Sequence, residues 1–231
     1  MPFADGSMNG MSEQQSISEY FDELYGDDGR YWWKQEERHA GTAKAFPYSL
    51  LTQMTLRLIE GRSPGRALDL GAGEGADAIR LALLGYHVTA VEISKVGADK
   101  IRRFAAAAGA DIDVEEGDLT VYEPDGKYDL ILCNGVLHYI EDKQAVIDRM
   151  KAATRPGGIN VVSTWSDYTP VPECHRRVPV YLDAEDGAVT RSYSDWDVKL
   201  LYFERDKGEH SHDGMPPHSH SHVKLIAVKP G

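Results

Sequence analysis

Between Arg66 and Trp165 five short apolar runs alternate with helical stretches, and nothing else in the chain restricts its fold as much. The apolar runs are 66–70 (RALDL), 87–91 (HVTAV), 111–115 (DIDVE), 128–134 (YDLILCN) and 159–165 (INVVSTW); helical patterns fill 75–85, 94–108 and 142–153. Strands separated by helices build βαβ units, so the expected fold class is α/β, a doubly wound and mostly parallel sheet with helices on both faces. The alternation stops at Trp165. Residues 166–196 are polar and carry Pro170, Pro172 and Pro179, which predicts an irregular insertion. Apolar runs at 196–205 and 220–228 predict an antiparallel terminal hairpin.

Upstream, Ile17, Phe21 and Leu24 recur at helical spacing within 12–26, and a second helix is expected over 48–60, closed by Gly61 and Ser63-Pro64-Gly65. Residues 12–62 therefore form a helical cover on the core at 66–165, with 166–196 as a substrate-side insertion and 197–228 as the hairpin, all in one domain. Residues 1–11 look like a disordered leader, since Met8 and Met11 are alternative starts.

Charge narrows the partners. With 37 acidic against 25 basic residues the formal charge is −12, which disfavours a nucleic-acid backbone. No apolar run approaches the ~20 residues of a membrane span, and the N-terminus lacks the pattern of a signal peptide. Cys133 and Cys174 are too few for a disulfide framework, so a reducing cytoplasm is expected. A small-molecule substrate fits best, with the chain a monomer or homodimer.

The segment Asp69-Leu70-Gly71-Ala72-Gly73-Glu74-Gly75 ends a strand and opens a helix. Gly71, Gly73 and Gly75 at alternate positions allow a sharp bend lying flat against a ligand, where a Cβ would collide. Glu92 ends the second strand 17 residues past Gly75, placed to accept hydrogen bonds from both hydroxyls of a ribose. That carboxylate excludes NADP but not NAD. The dehydrogenase fingerprint, however, is Gly-x-Gly-x-x-Gly, and here the third glycine comes one residue early. Asp69 beside the loop would repel a pyrophosphate and attract an ammonium. S-adenosylmethionine carries an ammonium and a sulfonium but no phosphate, and matches this charge pattern.

These residues are similar to a known family. ALDLGAGEGADA followed by VTAVEIS resembles the first two motifs of class I S-adenosylmethionine-dependent methyltransferases, which have a Rossmann-like fold. The resemblance implies that Asp118 of GDL holds the adenine amino group, that Leu119 lines the ring, and that Ile93, next to Glu92, and Asn134 border the cofactor. YDLILCNGVLHYI and RPGGINVVST resemble the fourth strand, then a turn and the fifth strand. More closely, TRSYSDW (190–196) and the closing runs VKLLYFERDKGEH and HVKLIAVK resemble the tellurite-resistance methyltransferase family. That family's members are credited with methylating tellurium and selenium oxyanions, while many relatives have other substrates.

Ligands of a doubly wound sheet sit beyond the strands' carboxyl ends. This puts Asn134 to Tyr139 and Thr164 to Asp167 near the transferable methyl, with His138 as the candidate base. Tyr31, Trp32 and Trp33 would form an aromatic lid on the sulfonium, or would simply pack the cover. Arg191, with Arg176 and Arg177, would bind an anionic substrate. Five of the nine histidines fall in EHSHDGMPPHSHSH: His210, His212, His218, His220 and His222. Alternate spacing on two hairpin strands would gather imidazoles suited to a divalent transition metal, or leave a solvated polar loop. Two rival functions stay open: a non-catalytic S-adenosylmethionine- or metal-binding protein, and an NAD-dependent oxidoreductase.

Overall fold

The structure, a computed structural model, describes residues 13–26, 50–205 and 216–231. Seven strands form one sheet in the order β3-β2-β1-β4-β5-β7-β6. β1 (Arg66–Leu70), β2 (His87–Glu92), β3 (Ile112–Glu116), β4 (Tyr128–Asn134) and β5 (Thr154–Trp165) are parallel. β7 (His222–Val228) is antiparallel to both β5 and β6 (Asp197–Glu204). β6 therefore runs with the core, and β6 ends and β7 begins at the edge where β1, β2, β4 and β5 end. The α/β expectation with an antiparallel closing hairpin holds.

The central strands are covered on both sides, so they read as continuous apolar runs. Leu68 and Leu70 of β1 and Ile131 and Cys133 of β4 face one core, packed with Val146, Ile147 and Met150 of α5 (Lys143–Ala153). Ala67, Leu130 and Leu132 face the other, with Leu51 and Ile59 of α2 (Leu50–Ile59) and Ala78 and Leu81 of α3 (Ala76–Leu83). The two edge strands, β3 and β6, expose charged residues such as Asp113, Glu115, Asp197 and Lys199, which discourages pairing with another sheet.

Two sequence expectations are corrected. β5 starts at Thr154 rather than 159, because RPGG is not a free turn. Gly157 takes φ +74 and donates its N–H to the Lys229 carbonyl, while Lys229 donates to Gly158, so neighbouring chain completes the strand's bonding. The 166–196 insertion is also less irregular than expected. It contains α6 (Ala188–Ser192), whose first N–H groups, Ala188 and Val189, donate to Asp183, and it buries Val189, Tyr193 and Trp196 in the first core.

At the N-terminal side, α1 (Glu13–Tyr25) forms part of the expected cover. It packs on α4 (Lys95–Ala108), with Ile17 and Tyr20 buried against Val178 of the insertion and Phe21 and Leu24 half-buried beside Ile93 and Tyr139. Among the described residues, no helix is long and apolar enough to cross a membrane.

Candidate active site

The chain leaves β1 toward β2 and leaves β4 toward β5, so strand order reverses between β1 and β4 and opens a crevice at their carboxyl ends. The glycine bend occupies one side. Gly71, Gly73 and Gly75 have φ of 69°, 58° and 83°, in the left-handed region open to glycine at little cost. Gly71 and Ala72 donate their N–H groups to the Val91 carbonyl at 2.8 and 3.0 Å, which ties the bend to β2. A Cβ on Gly71 would lie 2.3 Å from Val136 Cγ2. Beneath the bend, Glu74 and Lys100 form a buried ion pair at 2.9 Å.

Acidic and amide groups converge beside this bend. Asp69 is buried; burial, then the nearby Asp77 and Glu92 charges, hold its carboxyl well above the usual range, against one Ala78 N–H that lowers it. Asn134, at the end of β4, donates Nδ2–H to Asp77 Oδ2 at 3.1 Å. Its Oδ1 is buried and has no hydrogen-bond partner among the described residues. Asn134 and Asp77 also line a small cleft with Thr52, Thr55 and Arg80.

Glu92 is almost wholly buried and works within the protein. Oε2 accepts the Gly73 N–H at 2.7 Å and Oε1 accepts the Ser94 N–H at 3.0 Å, so the carboxylate closing β2 clamps the glycine bend. Burial pushes its carboxyl up to about 7, against those backbone bonds. Ser94 caps α4 by accepting the Gly97 N–H and donates its hydroxyl to Asp22 at 2.6 Å; Asp22 also accepts the Val96 N–H. Ser18 donates to the Ile93 carbonyl at 3.1 Å. Helix α1 is thus latched to the residues just after Glu92, and Phe21 meets Tyr139 edge-on at 5.3 Å, spanning the ends of β2 and β4.

Asp118 follows β3 and accepts both the N–H and hydroxyl of Thr120 at 2.8 Å, fixing the turn. Leu119 is buried in the first core and its carbonyl accepts Arg149.

Across the crevice, His138 lies in a single helical turn (Leu137–Tyr139) after β4. It is buried and stacks on Trp165, the last residue of β5, at 4.3 Å and 6°. Burial, then His222, His220 and His175, lower its pKa well below the usual value. Its Nδ1 has no hydrogen-bond partner among the described residues. Trp165 also stacks on His220, at 4.2 Å.

The expected histidine set divides. His218 and His220 converge, but on His175 of the insertion: Nε2 of His218 lies 3.0 Å from Nε2 of both. His222 instead turns Nδ1 to Glu204 at 3.2 Å. The expected shared strand face for 218, 220 and 222 therefore does not form, because β7 begins only at His222. His210 and His212, like Tyr31, Trp32 and Trp33, lie outside the described residues. Arg191 is exposed and donates to the Asp186 carbonyl; Arg176 donates to Val171 and Arg177 to Glu23. Sequence reasoning missed Asp22, Asp77 and His175, and reached Trp165 only as part of the 164–167 stretch. Of these, the adjacent pair Cys174-His175 in a polar insertion was the visible signal.

Comparison with known proteins now bears on this geometry. A family model described as a methyltransferase domain matches residues 43–223. The chain belongs to that methyltransferase family. Its sheet is the Rossmann-like sheet of class I S-adenosylmethionine-dependent methyltransferases. TehB from Haemophilus influenzae shares the fold with a TM-score of 0.66 at 21% identity, over 92% of this chain and 66% of that one. The N-methyltransferase NodS from Bradyrhizobium japonicum WM9, in complex with S-adenosyl-L-homocysteine, does so with a TM-score of 0.65 at 17% identity, over 94% of this chain and 100% of that one. Among curated sequences, Hemagglutinin 1 of Eikenella corrodens is 30% identical over 73% of this chain and 56% of its own length. A ubiquinone biosynthesis O-methyltransferase of Rickettsia prowazekii is 31% identical over 42% of this chain and 38% of its own. The chain thus spans about half the length, or less, of these curated relatives.

Proposed function

We propose that this chain transfers a methyl group from S-adenosylmethionine to a small organic acceptor. The observation that carries this is Asn134 Oδ1, a buried acceptor with no protein partner among the described residues, on a side chain whose amide donates to Asp77. A buried acceptor beside carboxyl groups favours a cationic donor and disfavours phosphate. The ammonium of the methyl donor's amino-acid part has that chemistry. Gly71, Gly73 and Gly75 would lie under the nucleoside, where a side chain would not fit. Glu92 would take the ribose hydroxyls on the second lone pairs of oxygens that already hold the bend. Asp118, Leu119 and Ile93 would border the adenine.

When bound, S-adenosylmethionine supplies an electrophilic methyl group on a sulfonium. The protein's own task is then to align the acceptor, exclude water and receive a proton. Phe21 and Tyr139 roof the crevice. His138, buried and stacked on Trp165, is our candidate base. The aromatic surroundings favour an organic acceptor over a tellurium or selenium oxyanion, since Arg176, Arg177 and Arg191 are each turned to another partner. A cytoplasmic setting agrees with Cys133 and Cys174 both being free thiols.

Isothermal titration with S-adenosylhomocysteine tests the donor site, and NAD is the control: heat with the first and none with the second is expected. No heat with either, or heat with NAD alone, would refute the proposal. Release of S-adenosylhomocysteine across a panel of small acceptors then separates an enzyme from a binding protein. His138→Ala should lower turnover and leave donor affinity intact; unaltered turnover would remove His138 from the mechanism.

A further inference from the structure

We propose that His175, His218 and His220 bind a zinc ion through their Nε2 atoms, with the Cys174 thiolate as the fourth donor. This is independent of the methyl-transfer reading, since none of the four residues belongs to the glycine bend or its partners.

Distance is the first support. His218 Nε2 lies 3.0 Å from both His175 Nε2 and His220 Nε2. Zinc–nitrogen bonds of about 2.0–2.1 Å in tetrahedral geometry place two ligand nitrogens about 3.3 Å apart, close to both of these separations. The ligand atoms of Cys174, His175 and His218 lie within 4.8 Å of one another; His220 lies outside that group and joins it through His218, so an ion would draw its ring inward.

Proton bookkeeping is the second. His218 Nδ1 lies 2.7 Å from the Pro216 carbonyl, which only accepts, so Nδ1 carries a hydrogen and Nε2 is the atom turned to the other two rings. Nε2 of His175 and Nε2 of His220 both approach that one atom at 3.0 Å. A cation satisfies all three nitrogens at once. The bond from Nδ1–H to a backbone carbonyl is also the outer support that metal-bound histidines commonly have.

Packing is the third. All three histidines are buried, and Trp165 fixes two of them, stacking on His220 at 4.2 Å and meeting His175 edge-on at 4.9 Å. The ligands come from the insertion after β5 and from the segment entering β7, 43 residues apart. An ion there would staple these two segments beside His138, at the same edge of the sheet as the glycine bend. The imidazole–thiolate donor set suits zinc over magnesium or calcium.

Full-length protein, stripped with chelator and dialysed against zinc, should retain near-equimolar zinc by elemental analysis and gain melting temperature. Cobalt substitution should give the intense visible bands of a tetrahedral site, with a thiolate charge-transfer band that Cys174→Ser removes. His175→Ala should weaken zinc binding by more than about tenfold, whereas the exposed His87→Ala should not. Circular dichroism of the metal-free variants separates lost binding from lost folding, and if His175→Ala fails to fold, His220→Gln takes its place. Zinc retention that survives these ligand changes but is lost in His210→Ala/His212→Ala overturns the proposal. So does a wild-type chain that keeps no zinc after dialysis.

Discussion

Glu92 Oε2 accepts the Gly73 N–H at 2.7 Å, so the carboxylate that closes β2 also shapes the bend that follows β1. Glu92→Ala deletes this bond and the one to Ser94, and removes the acceptor proposed for the ribose. Affinity for S-adenosylhomocysteine should fall by about 1–3 kcal/mol, roughly 5- to 150-fold. Titration calorimetry measures it directly. Unchanged affinity would mean that the bend keeps its form without Glu92 and that the ribose is held elsewhere.

The same carboxyl makes stability depend on pH. Burial raises it from 4.5 to about 7, so between those values the folded protein holds a proton that the unfolded chain has lost. Stability then falls as pH rises through this window and levels off above it. Complete expression of such a shift is worth on the order of 3 kcal/mol, an upper limit. Asp69 is shifted in the same direction and adds a slope of the same sign. Glu92→Gln should flatten only its own part. Melting curves from pH 5 to 8 check this, and parallel curves for the two proteins would contradict it.

How much of this was readable beforehand differs by region. β1, β2 and β4 were placed within a residue or so, because a strand buried on both faces must be apolar throughout. The glycine bend was readable too, since three alternate glycines have few other uses. Contacts between distant segments were not. Asp22 meets Ser94 across 72 residues and His175 meets His218 across 43, and no spacing rule connects such pairs. The insertion hid a periodic signal under its polarity: Val189, Tyr193 and Trp196 lie four and three apart, a helical spacing that outlasts α6 itself, and all three are buried. Pro170, Pro172 and Pro179, upstream of that face, give the insertion its irregular composition. His222 shows the converse error. Alternation grouped it with His218 and His220, but the strand begins too late to enforce a common face.

Two glycines with the same backbone angle separate conformational cost from crowding. Gly71 and Gly109 both have φ +69, but a Cβ on Gly109 meets nothing within 4 Å, whereas on Gly71 it would lie 2.3 Å from Val136 Cγ2. Gly109→Ala should cost about 1–2 kcal/mol for the left-handed conformation alone. Gly71→Ala should cost about 2–5 kcal/mol, because overpacking adds to it. In a Val136→Ala background the excess should shrink, giving a favourable coupling energy in a double-mutant cycle. Equal losses at both glycines, or strict additivity at 71 and 136, would show that Val136 does not press on the bend.

The insertion is anchored through a buried polar contact, which gives a test of whether it belongs to the core. The Asn160 side-chain amide, fully buried on β5, lies 2.9 Å from the Tyr193 hydroxyl and 2.7 Å from the Thr154 hydroxyl. Tyr193→Phe keeps the ring against Trp196 but removes the hydroxyl, leaving one end of a buried amide without its protein partner. That should cost about 1–3 kcal/mol, close to the desolvation penalty of an unsatisfied polar group. The same change in an Asn160→Ala background should cost clearly less, since the amide it would strand is already gone. Chemical denaturation of the four proteins measures the coupling. If Tyr193→Phe is neutral in both backgrounds, the hydroxyl does not hold the insertion to β5, and packing of Val189 and Trp196 together with backbone bonds such as Asp183 N–H to the Trp165 carbonyl does so.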